Sequence, residues 1–121
     1  MPEAAPRVLV VEDHPALGRF IAAVLLGAGM SVVGPLGEHA AALAAAEQAP
    51  LDLALVDRML QGRDAFSIVD AATARGIPCL LVSGYPRSGL PERFRGLPFL
   101  EKPFTKETLL DAARAAIVKP A

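Results

Sequence analysis

Val8-Leu9-Val10-Val11-Glu12-Asp13 sets the reading of this chain: four apolar residues run directly into two carboxylates. A short apolar run without polar alternation is what a strand buried on both faces requires. The pattern recurs at Leu53-Ala54-Leu55-Val56, which ends in Asp57, and at Cys79-Leu80-Leu81-Val82, followed by Ser83. A shorter version, Phe99-Leu100, leads into Glu101-Lys102-Pro103, and Ser31-Val32-Val33 supplies a fifth run. Charge is excluded from strand interiors, so Glu12, Asp13, Asp57 and Lys102 at the strand tips are not there to serve the core.

Helical patterns separate the runs. Leu17, Phe20, Ile21, Val24 and Leu25 form an amphipathic stripe that stops at Gly27-Ala28-Gly29. Glu38 to Gln48 is alanine-rich with Leu43 its one large apolar residue, and Pro50 ends it. Asp64 is placed to cap a helix over Ala65 to Arg75, with Phe66, Val69 and Ala72 on one side before Gly76 and Pro78. Thr105 is the expected cap of the last helix, whose buried side is Leu109, Leu110, Ala113, Ala116 and Ile117. From Ser83 to Phe99 three glycines and three prolines interrupt any helix, and a single turn starting at Pro91, with Phe94 inward, is all that is expected there.

The order is (βα)5 with an irregular fourth helix. Such alternation implies a parallel sheet with helices on both faces, right-handed crossovers and the common strand order 2-1-3-4-5. The ligand crevice of that three-layer, flavodoxin-like arrangement opens at the carboxyl ends of strands 1 and 3, where the order reverses. Glu12-Asp13 and Asp57 fall at those two ends.

Composition narrows the function. A chain of 121 residues, 53% hydrophobic and 21% charged, suits one domain over 1–121 with its core in 7–118. Twelve basic against thirteen acidic residues leave a net charge of −1, which draws the chain to neither nucleic acid nor an anionic membrane. Arg87, Arg93 and Arg95, interrupted by Glu92, read as a solvated loop. Met1 to Arg7 lacks the apolar stretch of a signal peptide, and no segment approaches membrane-spanning length, so a cytoplasmic location is expected. Cys79, the single cysteine, lies within an apolar run and reads as a buried, inert thiol.

Three carboxylates at one sheet edge would repel one another by roughly 4 kcal/mol per close pair at an effective dielectric near 20. A hard divalent cation relieves this, and an all-oxygen set suits Mg²⁺ rather than zinc. An aspartate beside such a cation can attack phosphorus, with Lys102 and the Ser83 hydroxyl holding phosphoryl oxygens.

Val8-Leu9-Val10-Val11-Glu12-Asp13-His14-Pro15, Leu55-Val56-Asp57-Arg58-Met59-Leu60, Val82-Ser83-Gly84 and Glu101-Lys102-Pro103-Phe104 resemble, in order, the four signature segments of response-regulator receiver domains. The resemblance runs from Arg7 to Ile117. It implies that Asp57 is the phosphoacceptor, that Glu12 and Asp13 bind Mg²⁺ with Asp57 and the backbone carbonyl of Met59, and that Ser83 senses and Lys102 binds the phosphate. It further implies a commonly cis Lys102-Pro103 bond, switch roles for Phe99 and Tyr85, and a bacterial two-component phosphorelay. Ser83-Gly84-Tyr85 and the Gly/Pro-rich stretch beyond it resemble a single-domain subgroup with a degenerate fourth helix.

Blander readings stand beside these. Taken singly, Asp57 is a turn residue, Lys102 a surface lysine, Ser83 a turn cap and Phe99 a core aromatic. His14 is expected to face solvent at the rim of the site, and His39 to be an unpartnered surface residue. The function expected is a stand-alone receiver, not a multiple-turnover enzyme. It would accept a phosphoryl group from a sensor histidine kinase or histidine phosphotransfer protein, then signal to a downstream protein or act as a phosphate sink. The alternatives are a receiver-like module that is never phosphorylated and an aspartyl-nucleophile phosphatase, against which stands Met59 where such enzymes carry a second aspartate.

Overall fold

The computed structural model describes residues 5–118, so Met1–Ala4 of the leader lie outside it. Five parallel strands form one sheet in the order β2-β1-β3-β6-β7: β2 is Ser31–Leu36, β1 Arg7–Val11, β3 Leu53–Asp57, β6 Cys79–Ser83 and β7 Phe99–Glu101. This is the expected 2-1-3-4-5 arrangement once the small hairpin of β4 (Met59–Leu60) and β5 (Arg63–Asp64), absent from the sequence reading, is set aside. Helices α1 (Pro15–Gly27), α2 (His39–Gln48), α3 (Phe66–Ala74) and α4 (Lys106–Val118) cover the two faces.

Alternation along the strands divides the core. Val8, Val10, Leu53, Leu55, Leu80 and Val82 pack against Ile21, Val24 and Leu25 of α1 and Leu109, Ala113 and Ala116 of α4. Leu9, Val11, Ala54, Val56 and Leu81 face Ala42 and Ala46 of α2 and Ile68, Val69 and Ala72 of α3. With both faces of β1, β3 and β6 covered, only the strand ends can carry polar groups.

Strand β2 runs farther than Val33. Leu9 pairs with Val33 but Val11 with Leu36, so Gly34-Pro35 adds one residue to β2. Proline is tolerated there because β2 is an edge strand. Gly34 has φ +107, and a Cβ on it would lie 2.7 Å from the carbonyl oxygen of Val10. Only glycine fits that bulge.

Several local expectations need correcting. Phe20 is 41% exposed and leans toward Phe104, with ring centroids 6.5 Å apart, instead of joining the α1 stripe. Asp64 Oδ1 accepts the N–H of Phe66 at 3.2 Å, but the cap position by backbone is Ala65, one residue on, because Arg63–Asp64 is drawn into the hairpin. Thr105 caps α4 as expected: its Oγ1 accepts the Thr108 N–H at 3.1 Å, and Thr108 Oγ1 accepts the Thr105 N–H at 3.0 Å. His39 is not unpartnered, because its Nε2 lies 2.8 Å from the carbonyl oxygen of Leu60 and ties α2 to the hairpin.

The segment 84–98 holds two 3₁₀ turns, Arg87–Gly89 and Glu92–Phe94, where one was expected. Arginines secure it, correcting their reading as a solvated loop. Arg87 donates to the carbonyl oxygens of Arg95 and Leu97, both at 2.7 Å, and Arg95 Nε donates to that of Leu90 at 2.8 Å. Arg93 pairs bidentately with Asp70 at 2.6 and 3.0 Å. Leu90 and Phe94 enter the core, and Phe94 stacks on Phe66 at 4.5 Å. Phe94→Ala should therefore lower stability by ~3 kcal/mol through the cavity it leaves. Urea unfolding checks this; a loss near zero would mean that the segment is not anchored by its aromatic.

Candidate functional site

The carboxyl edge of the sheet collects the polar residues singled out above. Asp57 pairs in register with Val82, so Ser83 lies one step beyond it, and Ser83 pairs with Glu101, which places Lys102 next. The Lys102 N–H donates to the Ser83 carbonyl at 2.7 Å and the Arg58 N–H to that of Val82 at 2.8 Å, fixing these strand ends together. On the other side Glu12 donates its N–H to Leu36 at 3.0 Å. The Lys102-Pro103 bond is cis.

Glu12, Asp13 and Asp57 each offer a carboxylate oxygen, and the three atoms lie within 4.8 Å of one another. Lys102 Nζ donates to Asp57 Oδ2 at 3.0 Å and to Glu12 Oε1 at 3.3 Å. Each acid also has a backbone donor: His14 N–H to Glu12 Oε2 at 3.0 Å, Gln61 N–H to Asp13 Oδ2 at 2.8 Å and, at a long 3.4 Å, Met59 N–H to Asp57 Oδ1. Glu12 and Asp57 are buried, whereas Asp13 is exposed. With all three acids ionised, one ammonium leaves the cluster two charges short of neutrality.

Titration follows from this. Burial, together with the charge of Asp57, pushes Glu12 up to about 7, against the opposing pull of the His14 N–H and Lys102. Burial alone would lower Lys102, but its hydrogen bond to Asp57 and the charges of Asp57 and Glu12 hold it above the ordinary lysine range. Cys79 is buried, and desolvation pushes its thiol up to about 12.

Ser83 is 1% exposed, and its Oγ accepts the Tyr85 N–H at 2.9 Å. Tyr85 is 62% exposed, with the Arg58 guanidinium 5.7 Å from its ring centroid. Asp57, Arg58, Met59, Ser83, Gly84, Tyr85 and Lys102 line one cleft of about 380 Å³. Phe99 is half-buried against the core cluster that faces α2 and α3, under the Arg87 guanidinium at 5.0 Å, and does not line that cleft. His14 caps α1, its Nδ1 accepting the Leu17 N–H at 3.3 Å.

The sequence reading missed Gln61 and Arg58. Gln61 has φ +53, an unusual conformation for a side-chain-bearing residue, and Gln61-Gly62 is the one local sign of the turn that aims an N–H at Asp13. Arg58 follows Asp57 directly and lies within a signature segment, yet no role was read for it.

The family model for the response regulator receiver domain matches residues 8–114. The chain belongs to this family. Among curated relatives, the nitrate/nitrite response regulator NarP of Escherichia coli K12 is 29% identical over 122 residues, covering 95% of this chain and 57% of NarP. The chain spans about half the length of the curated relatives it matches. The solution structure of SdrG from Sphingomonas melonis Fr1 is 31% identical with a TM-score of 0.83, covering 97% of this chain and 100% of that one. The receiver domain of the sensor histidine kinase PA1611 from Pseudomonas aeruginosa PAO1 has a magnesium ion coordinated in its active-site cleft. It is 25% identical with a TM-score of 0.80, covering 96% of this chain and 100% of that one. This receiver domain is thus homologous to response regulators of two-component systems, and no described helix is long and apolar enough to cross a membrane.

With divalent cations chelated, the stability of this receiver should fall as pH rises between about 4.5 and 7. The folded state holds the Glu12 proton more tightly than the unfolded chain, so the cost of ionising it is absent below that window and complete above it. Glu12→Gln keeps the acceptor for His14 and removes the charge. Comparing urea midpoints at about pH 5 and about pH 8 should show that the substitution flattens this slope; an unchanged slope would place the titration elsewhere.

Proposed function

We propose that this receiver accepts a phosphoryl group on Asp57 from the phosphohistidine of a sensor histidine kinase or histidine phosphotransfer protein. The observation that carries this is the buried Asp57, with Lys102 Nζ 3.0 Å from one carboxylate oxygen and two further carboxylates beside it. A carboxylate oxygen of Asp57 forms the new bond to phosphorus as the phosphorus–nitrogen bond breaks, and the imidazole nitrogen leaves with its electron pair. Lys102 is placed to hold a phosphoryl oxygen as a point charge, and the Ser83 hydroxyl to donate to another. Water later cleaves the acyl phosphate and restores Asp57.

Glu12, Asp13, Asp57 and the backbone carbonyl of Met59 are the groups we assign to Mg²⁺. The fit rests on an all-oxygen donor set and on a net negative cluster that one lysine does not neutralise. The ion, when bound, supplies the charge neutralisation that lets an anionic phosphoryl group approach an anionic nucleophile.

Phosphorylation adds close to two negative charges and three acceptor oxygens. Turning the Ser83 hydroxyl toward them gives up its bond from the Tyr85 N–H, so Tyr85 and the segment 84–98 become the elements free to change. Phe99, packed beside Arg87 at the other end of that segment, is the second switch residue. The signal then leaves by contact with a downstream protein or ends in hydrolysis as a phosphate sink. We favour a stand-alone receiver of the Ser-Gly-Tyr subgroup, on the strength of Ser83-Gly84-Tyr85 and of the two short 3₁₀ turns that replace a regular fourth helix after it. Phosphohistidine donors depend on ATP, which makes the cytoplasm the expected location.

Asp57→Asn and Asp57→Ala should each cut incorporation of label from a phosphohistidine donor by at least ~100-fold while leaving the fold intact. Undiminished incorporation would remove Asp57 from the role. Chelation of divalent cations should suppress labelling of the unsubstituted protein, and Asp13→Asn should weaken Mg²⁺ binding by at least ~10-fold. Binding of equal strength in that variant would remove Asp13 from the set.

A further inference from the structure

Arg58 is the one residue of the phosphoacceptor cleft for which the preceding mechanism has no use, and its side chain is incompletely satisfied. Its backbone is pinned on both sides, the N–H to Val82 and the carbonyl to the N–H of Ala65, each at 2.8 Å. The side chain reaches from there to the first 3₁₀ turn, where Nη2 donates to the carbonyl oxygen of Gly89 at 3.0 Å. It also lies 5.7 Å from the Tyr85 ring centroid, and a Cβ on Gly89 would come within 3.4 Å of Nη1. Arg58 Nε is enclosed and has no hydrogen-bond partner among the described residues.

A buried donor left unpaired in this way calls for a physical reason. A neutral carbonyl and an aromatic face are modest partners for a guanidinium. A dianionic phosphoryl group is a far better one, since its oxygens accept charge-assisted hydrogen bonds from two guanidinium N–H groups at once. Such a group on Asp57 would stand in the cleft that Arg58 itself lines together with Lys102 and Ser83.

We propose that Arg58 is a two-position latch. With Asp57 bare, it ties the segment 84–98 to the end of β3 through Gly89 and Tyr85. With Asp57 phosphorylated, the guanidinium turns to the phosphoryl oxygens and releases both. This rests on the assignment of Asp57 as phosphoacceptor. The latch adds a route by which the phosphoryl group reaches the turn at Gly89, separate from the Ser83 hydroxyl, whose contact ends at the Tyr85 N–H.

Beryllofluoride with Mg²⁺ mimics the acyl phosphate and allows a direct test on the intact protein. In ¹⁵N-resolved spectra the Nε–H signal of Arg58, identified by its loss in Arg58→Lys, should shift downfield and exchange more slowly with water on addition of beryllofluoride. Amide exchange at Gly89 and Leu90 should quicken by ~10-fold as the latch opens. Tyr85 is the only tyrosine and there is no tryptophan, so intrinsic emission reports on its ring alone and should change at the same time.

Arg58→Gln should show the fast exchange at Gly89 and Leu90 before any beryllofluoride is added, with no further change afterwards. Arg58→Lys keeps the charge without the fork and should also lack the slow-exchanging free state. An Nε–H signal that stays put while the Ser83 amide shifts to saturation would overturn the latch, as would Gly89 exchange in Arg58→Gln equal to that of the unsubstituted protein. Label transfer from a phosphohistidine donor separates the two levels: labelling abolished by Asp57→Asn leaves the phosphoacceptor assignment standing even if the latch fails, and labelling that persists in Asp57→Asn strikes at that assignment instead.

Discussion

Three carboxylates gathered around one ammonium are the constraint from which the rest of this structure is best understood. Lys102 bridges Asp57 and Glu12, yet the cluster remains short of positive charge, and burial together with the charge of Asp57 raises Glu12. A folded protein can hold such a group only if other parts of the fold supply the stability it withholds. Here the surplus comes from β1, β3 and β6, whose residues between Val8 and Val82 are buried on both faces by four helices. The polar residues sit where the strands run out and the helices no longer cover them.

The hairpin β4–β5 shows how that edge is organised. His39 holds the carbonyl of Leu60 from α2, and the next residue, Gln61, aims its N–H at Asp13. The exposed carboxylate is thereby oriented from outside its own strand, while Glu12 is oriented by the N–H of His14 at the start of α1. Asp13 and Asp57 take their backbone donors, Gln61 and Met59, from the hairpin, and Glu12 takes its own from the start of α1. On the proposed Mg²⁺ assignment, a cation entering the cluster would meet carboxylates already held by backbone donors, and less ordering would be left to be done on binding.

Much of this was legible in the sequence because burial on both faces leaves a plain mark. Uninterrupted runs such as Leu53-Ala54-Leu55-Val56 admit few readings, and the acids at their ends follow from the order of elements. What could not be read depends on contacts between distant residues. The partner of His39 lies 21 residues away, and the three arginines of the segment 87–95 resemble a solvated loop until the carbonyls that Arg87 and Arg95 serve and the Asp70 carboxylate that Arg93 pairs with are in place. The extra residue in β2 was hidden for another reason: Gly34-Pro35 signals a turn, and only its position on an edge strand makes it a bulge. Phe20 fits the helical stripe of α1 but lies at the end of its apolar arc, where Phe104 meets it at the surface.

The segment 84–98 is where local sequence and tertiary structure diverge most, and the divergence has a consequence for signalling. A regular helix would satisfy its own backbone and move as a body. Here the carbonyls of Leu90, Arg95 and Leu97 are satisfied by arginine side chains, and Phe94 and Leu90 provide the hydrophobic anchor. Side-chain ties of this kind can be exchanged singly, without unfolding a whole element, so the two turns need not respond together. The turn at Gly89 is held from Arg58, next to Asp57, whereas the turn at Phe94 is held from α3 through Asp70 and Phe66. A charge placed on Asp57 therefore bears first on the nearer turn. The farther one, stacked into the core, would be the fixed point for any such movement.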